Sequence, residues 1–237
     1  MTTNKNICPI CGFSPLTHKG SELICPSCDS HFSIVATENT ETESLSLDEL
    51  KKSVFEIKGQ SETTEKFGTG FAISGKHIIT CAHVIYDGEK SDGTFRYLDS
   101  NLFVGKDKNF STNAEVVKIS KSFDLAVIKV NRKAPLSPLK LDKKKPYEGT
   151  SIYAVGNGKG NGISVLRGVV SDRRRNVNGR DLILISAPVI SGYSGGPVFN
   201  NYGLVVGVIT GGENDEPAMN YAIPSDIVYE FAKEYLD

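Results

Sequence analysis

The 237-residue sequence has no tryptophan and only two methionines, four histidines and five cysteines. Its formal net charge of −1 gives no general attraction to nucleic acid or to a membrane surface. No apolar stretch approaches the ~20 residues that a membrane-spanning helix needs. We therefore expect a soluble protein that binds neither nucleic acid nor membrane. Any imidazole chemistry must come from His18, His31, His77 or His83.

Ser194 carries the strongest catalytic pattern in the chain. It lies in the run SGYSGGP (191–197), where glycines on both sides let the backbone turn sharply and present the hydroxyl. The pattern Gly-x-Ser-x-Gly also occurs in α/β-hydrolases, in which the acid and the histidine follow the serine. No histidine follows Ser194 here. A base must therefore come from upstream, and the order His, Asp, Ser remains.

Two upstream segments can supply the base and the acid. The segment IITCAHV (78–84) is an apolar strand that ends in a small-residue turn carrying His83. The segment FDLAVIKV (123–130) places Asp124 at the start of a strand with the composition of a buried one. A buried carboxylate costs several kcal/mol unless it is paired or hydrogen-bonded. The ring N–H of His83 would provide that partner.

These segments resemble the trypsin-like serine proteases of chymotrypsin fold, and within that group the HtrA/Deg type, here without the PDZ domains that often follow. The resemblance covers about residues 50 to 237. Six segments carry it, in the same order along the chain: GTGF (68–71), TCAHV (80–84), DLAV (124–127), GYSGGP (192–197), GVIT (207–210) and YAIPS (221–225).

The resemblance implies an all-β fold of two six-stranded antiparallel β-barrels with a C-terminal helix. It also implies a serine endopeptidase that cleaves protein or peptide substrates through an acyl-enzyme. In that reading His83 is the general base, Asp124 orients it, Ser194 is the nucleophile, and the backbone N–H groups of Gly192 and Ser194 form the oxyanion hole. Imidazole suits the role of base because it titrates near neutral pH. Cys81 is interpreted as a small buried thiol.

The resemblance also predicts a substrate pocket built from Pro188, Ile190, Ile209 and Thr210. The position six residues before the serine, which is acidic in trypsin, holds Pro188. This predicts a small or medium apolar P1 residue. Acids at 213, 215 and 216 leave open that a carboxylate reaches the pocket from the following loop.

The N-terminal cysteines predict a zinc ribbon over residues 1–35. Cys8, Cys11, Cys25 and Cys28 form two C-x2-C pairs separated by thirteen residues, and four thiolates complete the tetrahedral shell of a structural Zn²⁺. Disulfides or a redox pair are the alternatives. The first residues show no apolar signal segment, so a cytoplasmic location and zinc are favoured over disulfides.

The rest of the chain is divided by composition. Residues 36–50 hold five acids and no lysine or arginine, which predicts a linker that ends in the start of a short helix capped by Ser46. The protease domain is then 51–237, and its last helix is predicted to begin with Ser225 as N-cap.

The basic run 172–175 is interpreted as a solvated hairpin tip, or as a loop that steers acidic substrates or an activator.

The ribbon is expected to regulate or target the protease, as a docking site for a protein activator. Two other functions stay open at this point. The whole chain could be a zinc-ribbon protein-binding module whose protease-like domain is inactive or latent. An esterase with the same triad is also possible, because acyl chemistry does not itself choose amide over ester.

Overall fold

The computed structural model describes residues 8, 10–11, 16–19, 22–28, 30–33, 46–61, 64–89, 95–98, 102–132, 135–212 and 219–237. At the N-terminal end, β1 (Thr17–Lys19), β2 (Glu22–Ile24) and β3 (His31–Ser33) form a small antiparallel sheet in the order β1-β2-β3. This sheet is compatible with the predicted ribbon. Residues 36–45 of the predicted linker lie outside the described residues, and the proposed boundaries stay predictions.

A short helix, α1 (Leu47–Lys51), precedes the first barrel. The Ser46 hydroxyl accepts a hydrogen bond from the backbone N–H of Glu49 at 3.3 Å, as the capping motif predicts. Asp48 and Glu49 in the first turn also complement the positive end of the helix.

The first barrel is built from the strands that follow α1. In chain order, the described strands of this part are β4 (Val54–Gln60), β5 (Glu65–Ala72), β6 (His77–Cys81), β7 (Tyr86–Glu89), β8 (Phe95–Tyr97), β9 (Leu102–Lys106), β10 (Asn109–Ser120) and β11 (Leu125–Val130). Six of them close into an antiparallel barrel in the order β10-β11-β6-β5-β4-β9, and β7 pairs with β8 in a separate sheet. In β11, every residue except Lys129 is buried, which is why its sequence is a nearly continuous apolar run.

The second barrel follows the same plan. Its strands are β12 (Ser151–Asn157), β13 (Ile163–Val177), β14 (Arg180–Ile185), β15 (Pro197–Phe199), β16 (Val205–Gly212) and β17 (Asn220–Pro224). They close in the order β12-β13-β14-β17-β16-β15. The predicted all-β fold of two six-stranded antiparallel barrels is therefore confirmed.

The last helix, α3 (Ser225–Ala232), packs against the barrels through Val228 and Phe231, which belong to the main hydrophobic core. The predicted capping role of Ser225 is wrong. Pro224 occupies the N-cap position, and the Ser225 hydroxyl donates instead to the backbone carbonyl of Asp142 at 2.5 Å. Within the described residues, no helix has the length and apolar character needed to cross a membrane.

Strand pairing in the first barrel brings two of the predicted catalytic residues to one end. β6 and β11 are antiparallel neighbours with Cys81 opposite Leu125. Helix α2 (Ala82–Ile85) follows β6 directly and carries His83, while Asp124 immediately precedes β11. Because the end of one strand lies beside the start of the other, these two side chains emerge next to each other.

Candidate active site

His83 and Asp124 form a hydrogen-bonded pair. His83 Nδ1 lies 2.9 Å from Asp124 Oδ2 and 3.0 Å from Oδ1, and the backbone N–H of His83 donates to Oδ1 at 3.0 Å. A carboxylate only accepts, so Nδ1 carries the proton. The other ring nitrogen, Nε2, is thereby left in the form that accepts a proton.

The Asp124 carboxylate has partners from both barrels. The Thr210 hydroxyl, on β16, donates to Oδ2 at 2.5 Å, and Arg180 Nη1, at the start of β14, lies 3.8 Å from the same oxygen. Burial alone would raise the pKa of this carboxyl, but the hydrogen bonds from His83 and Thr210 lower its pKa below the ordinary value. Asp124 is therefore held as the carboxylate at neutral pH.

Asp124 also has unusual backbone geometry. Its φ of +57° lies in the left-handed region, which aspartate adopts more readily than most residues. Its backbone N–H donates to the carbonyl of Lys121 at 3.1 Å, and its own carbonyl accepts from Ala82 at 3.1 Å. This tight turn aims the carboxylate at His83.

The loop that carries Ser194 depends on glycine at two positions. Gly192 and Gly195 have φ of +98° and +87°, and a Cβ at either would lie 2.1 Å from a backbone oxygen, of Asn157 and Thr69 respectively. No side chain fits there without moving the backbone. The glycines of the predicted motif thus have a steric reason in this fold.

Backbone N–H groups in this loop fall into two kinds. Those of Tyr193 and Gly195 donate to the carbonyls of Ile190 and Ile209, at 3.1 Å and 2.7 Å. Those of Gly192 and Ser194 have no acceptor among the residues that the structure describes. The two positions predicted to form the oxyanion hole therefore have N–H groups free to bind an incoming oxygen.

Thr69 ties the loop to the first barrel, a role that the sequence analysis did not identify. Its backbone N–H donates to the carbonyl of Ser194 at 2.8 Å, and its hydroxyl donates to the carbonyl of Gly192 at 2.7 Å. The same hydroxyl accepts from the backbone N–H of Asn157 at 2.9 Å. Thr69 is fully buried and lies in the GTGF segment, which was the only sequence signal for it.

Ser194 and His83 line the same two cavities. One, of about 650 Å³, also includes Glu65, Phe67 and Lys159. The other, of about 590 Å³, is lined by all four residues predicted for the substrate pocket: Pro188, Ile190, Ile209 and Thr210. In the described part of the chain the Ser194 hydroxyl forms no hydrogen bond, so it faces the cavities without an internal partner.

Two features of the second cavity bear on the sequence predictions. Asn220, on β17, was not foreseen; it lines the cavity and its side chain donates to the carbonyl of Ala187 at 2.8 Å. The acidic loop that left the P1 preference open, residues 213–218, lies outside the described residues.

Cys81 is fully buried as expected, and burial raises its pKa well above the ordinary value.

The basic run 172–175 is not a hairpin tip. It lies inside β13, and the turn of the β13–β14 hairpin is formed by Asn178 and Gly179, both with positive φ. Arg174 and Arg175 are paired with Asp181 and Asp172 on the same hairpin. These pairs offset the positive charge that had suggested acidic substrates.

The four N-terminal cysteines form one cluster. All four Sγ atoms lie within 4.8 Å of one another, with 3.6 Å between Cys8 and Cys28 and 3.4 Å between Cys11 and Cys25. These spacings are close to the edge of about 3.8 Å expected for a tetrahedron of sulfurs around Zn²⁺ at about 2.3 Å. Tyr147, just before β12, packs against the cluster.

The sequence matches a family of trypsin-like domains, and the structure resembles a solved protease. Residues 68–208, more than half of the chain, match the family model described as trypsin-like peptidase domain. The Rv3671c protease from M. tuberculosis, in its active form, has a TM-score of 0.68 at 21% identity over 93% of this chain and 92% of that one. At that identity the likeness shows the fold alone.

The curated relatives are named as DegP-like and Do-like proteases. A probable periplasmic serine endoprotease DegP-like of Bartonella henselae is 34% identical over 149 residues, which is 61% of this chain and 27% of the relative. Protease Do-like 5, chloroplastic, of Arabidopsis thaliana is 30% identical over 187 residues, or 73% of this chain and 57% of the relative. The chain thus spans only part of the length of these relatives.

The names of the relatives also overturn one expectation. Several are called periplasmic, which points to a location outside the cytoplasm, so the expected cytoplasmic location is wrong. That expectation rested on the absence of an apolar signal segment in the first residues. The composition of these residues does not determine the compartment.

Proposed function

We propose that this chain, which belongs to the family of trypsin-like peptidase domains, is a serine endopeptidase with His83, Asp124 and Ser194 as its catalytic triad. One observation carries the proposal: an Asp-oriented imidazole and an unpartnered serine hydroxyl line one cavity, beside two backbone N–H groups without internal acceptors. A serine hydroxyl near an oriented base, with N–H donors available for an oxyanion, is the set of groups that acyl transfer requires.

In the proposed reaction, Ser194 Oγ attacks the carbonyl carbon of the scissile amide while His83 Nε2 takes the hydroxyl proton. The carbonyl π electrons move onto oxygen, and the resulting oxyanion accepts hydrogen bonds from the N–H groups of Gly192 and Ser194. Collapse of this intermediate breaks the C–N bond, and the imidazolium gives its proton to the leaving amine. Water then enters by the same steps in reverse order and releases the acid product from the acyl-enzyme.

Asp124 and its neighbours support the base. Its carboxylate fixes the tautomer of His83 and stabilises the imidazolium that forms during attack, without taking the proton itself. The Thr210 hydroxyl and the Arg180 guanidinium hold that carboxylate from the second barrel. The two barrels must therefore keep their relative position for the triad to stay assembled.

The cavity lined by Pro188 and Ile190 is proposed as the S1 pocket, with an apolar P1 preference. A proteome-derived peptide library digested with the full chain and read by mass spectrometry is expected to be cleaved mainly after small or medium apolar residues. The reason is that the described lining residues of this cavity, besides His83, include no charged side chain.

A Ser194→Ala variant carried through the same digestion is the control for contaminating proteases. Cleavage mainly after Lys or Arg would contradict the apolar pocket. Intact peptides combined with Ser194-dependent turnover of a nitrophenyl ester would contradict the peptidase proposal and favour the esterase alternative.

The cysteine cluster is proposed as a structural zinc site of Cys8, Cys11, Cys25 and Cys28. When bound, zinc would cross-link the two C-x2-C pairs and hold the ribbon folded; four thiolate ligands leave no open position for catalysis. The sulfur–sulfur distances of 3.6 Å (Cys8 to Cys28) and 3.4 Å (Cys11 to Cys25) fit metal ligands better than disulfides, whose sulfurs are about 2 Å apart. Outside the cytoplasm, bound metal would also keep these thiols from oxidising.

A Cys25→Ser variant is expected to lose the zinc that the purified wild-type chain holds, measured by elemental mass spectrometry, because Cys25 is fully buried at the cluster. The matched control is Cys81→Ser, since Cys81 is equally buried but lies outside the cluster. Equal zinc in the wild type and Cys25→Ser, or disulfides among the four cysteines, would contradict the zinc site.

A further inference from the structure

A large cavity lies in the first barrel, away from the triad. It has a volume of about 640 Å³ and is formed by residues after α1, by β4, β9 and β10, and by the chain that follows β11. Val130, the last residue of β11, lies in its wall, whereas Asp124 precedes the first residue of that strand. The cavity therefore opens at the opposite end of β11 from the triad, and it shares no described lining residue with the two cavities around Ser194.

Three cationic side chains line this cavity: Lys52, Lys106 and Arg132. None of the lining residues in the described ranges is acidic. Lys106 is held in place by the backbone carbonyls of Lys51, at 3.3 Å, and Lys52, and its Nζ lies 4.7 Å from the centre of the Phe55 ring. These partners fix the position of the ammonium group but carry no negative charge.

The positive charge is only partly offset by neighbouring acids. Lys52 pairs with Glu49 at 2.5 Å, whereas Lys106 and Arg132 form no ion pair with any residue that the structure describes. Asp107 follows Lys106 and is exposed. Burial, together with the neighbouring Arg132 and Lys52, lowers the pKa of Lys106 despite the opposing effect of Asp107. Arg132 and Lys52 are exposed, so solvent screens much of the repulsion, and the three cations together attract an anion.

The other lining residues indicate what kind of anion fits. Asn109, Ser111 and Thr112 on β10 bring neutral hydrogen-bonding side chains to the cavity, and Phe55 and Leu136 add apolar surface. A phosphate group offers several acceptor oxygens and up to two negative charges, so it can use several donors and cations at once. A single carboxylate has two oxygens and one charge. The volume is also within the range of small-molecule sites.

We propose that this cavity binds a small, soluble phosphate-bearing molecule. Arg132 and Lys106 would supply the main charge contacts, with Lys52 at the rim and the β10 side chains donating to the remaining oxygens. The site is separate from the catalytic centre and does not rest on the proposed peptidase activity.

The test uses inorganic pyrophosphate as probe and the full chain, with binding measured by isothermal titration calorimetry at low ionic strength. The wild type is expected to bind pyrophosphate, and Arg132→Gln is expected to bind about tenfold more weakly, the effect of losing one charge-assisted contact. Lys52→Gln is a second variant and should weaken binding by a smaller factor, since Glu49 already shields that charge. Arg167→Gln removes the same charge from an exposed position on β13 and should bind like the wild type.

Three outcomes would overturn the proposal. One is absence of pyrophosphate binding to the wild type; another is equal weakening in Arg132→Gln and Arg167→Gln, which indicates a general charge effect. The third is that the chain floats with phosphatidylcholine vesicles that carry phosphatidic acid and that soluble pyrophosphate does not release it, which indicates a lipid headgroup as the ligand. If the chain does not float with these vesicles and still binds pyrophosphate, the result supports the soluble ligand.

Discussion

Replacing Ser194 with alanine is expected to lower kcat for peptide cleavage by about 10⁶, the order observed when the nucleophile of a Ser-His-Asp triad is removed. The variant should also lose all labelling by a fluorophosphonate probe, which the wild type should take up on a peptide containing Ser194. Both losses have one cause, since the Ser194 hydroxyl is the nucleophile in the proposed reaction. Intact-protein and peptide mass spectrometry measure the label, and a fluorogenic peptide selected from the library measures kcat.

The same substitution should leave the fold unchanged. The Ser194 hydroxyl has no hydrogen-bond partner in the described part of the chain, so its removal strands no buried donor or acceptor. The free energy of unfolding is therefore expected to change by no more than about 0.5 kcal/mol, as for substitutions that disturb no packing or buried bond. A labelled or active Ser194→Ala protein would contradict the role of Ser194. A wild type that takes up no label would contradict the proposal that the site is competent.

The two six-stranded barrels were predictable because six segments resemble those of the trypsin-like proteases in sequence and in order along the chain; short apolar strands bounded by Gly, Asn and Asp predict only an all-β barrel architecture. The proximity of His83 and Asp124 was predictable for a chemical reason, because a carboxylate beside a buried strand requires a partner. Gly192 and Gly195 were likewise informative, since their positive φ and the lack of room for a Cβ leave no alternative residue.

Contacts that depend on strand register were not predictable. The β13–β14 pairing shifts register after Val170 and again after Asp172. Each shift can change which face of the sheet a side chain occupies. The contact between Arg180 and Asp124 therefore cannot be predicted by counting residues along the strand. Thr210 was predicted only as a pocket residue, and its hydroxyl in fact reaches the carboxylate of Asp124. Both contacts join separate barrels.

The cationic cavity illustrates the same limit. Lys52, Lys106 and Arg132 are far apart in sequence and form no run that would suggest a binding site. The basic run that the sequence analysis singled out, 172–175, is largely neutralised by acids on its own hairpin. Barrel closure brings the scattered charges together, and composition alone could not distinguish the two cases.

The second large effect is expected for Asp124→Asn, which should lower kcat by about 10⁴, the order for this substitution in a Ser-His-Asp triad. An amide facing His83 Nδ1 offers a donor, which favours the tautomer with the proton on Nε2. That nitrogen can then no longer accept the proton of Ser194. KM should change little, because Asp124 lines neither cavity at Ser194. Stopped-flow or progress-curve kinetics on the fluorogenic peptide separates the two parameters.

The pH dependence of stability gives a second readout for Asp124. Its pKa is lowered in the folded state, so its ionised form stabilises the fold above the ordinary aspartate pKa, and this contribution is lost as pH falls through the lowered folded value. Asp124→Asn lacks this titration, so its deficit in free energy of unfolding relative to the wild type should shrink on acidification. Urea unfolding at neutral and acidic pH measures the difference. Asp226→Asn, on α3, removes a carboxylate paired with Lys145 and should keep wild-type kcat. If Asp124→Asn kept wild-type kcat as well, the His83–Asp124 pair would serve the fold alone, and His83 would need no orienting acid.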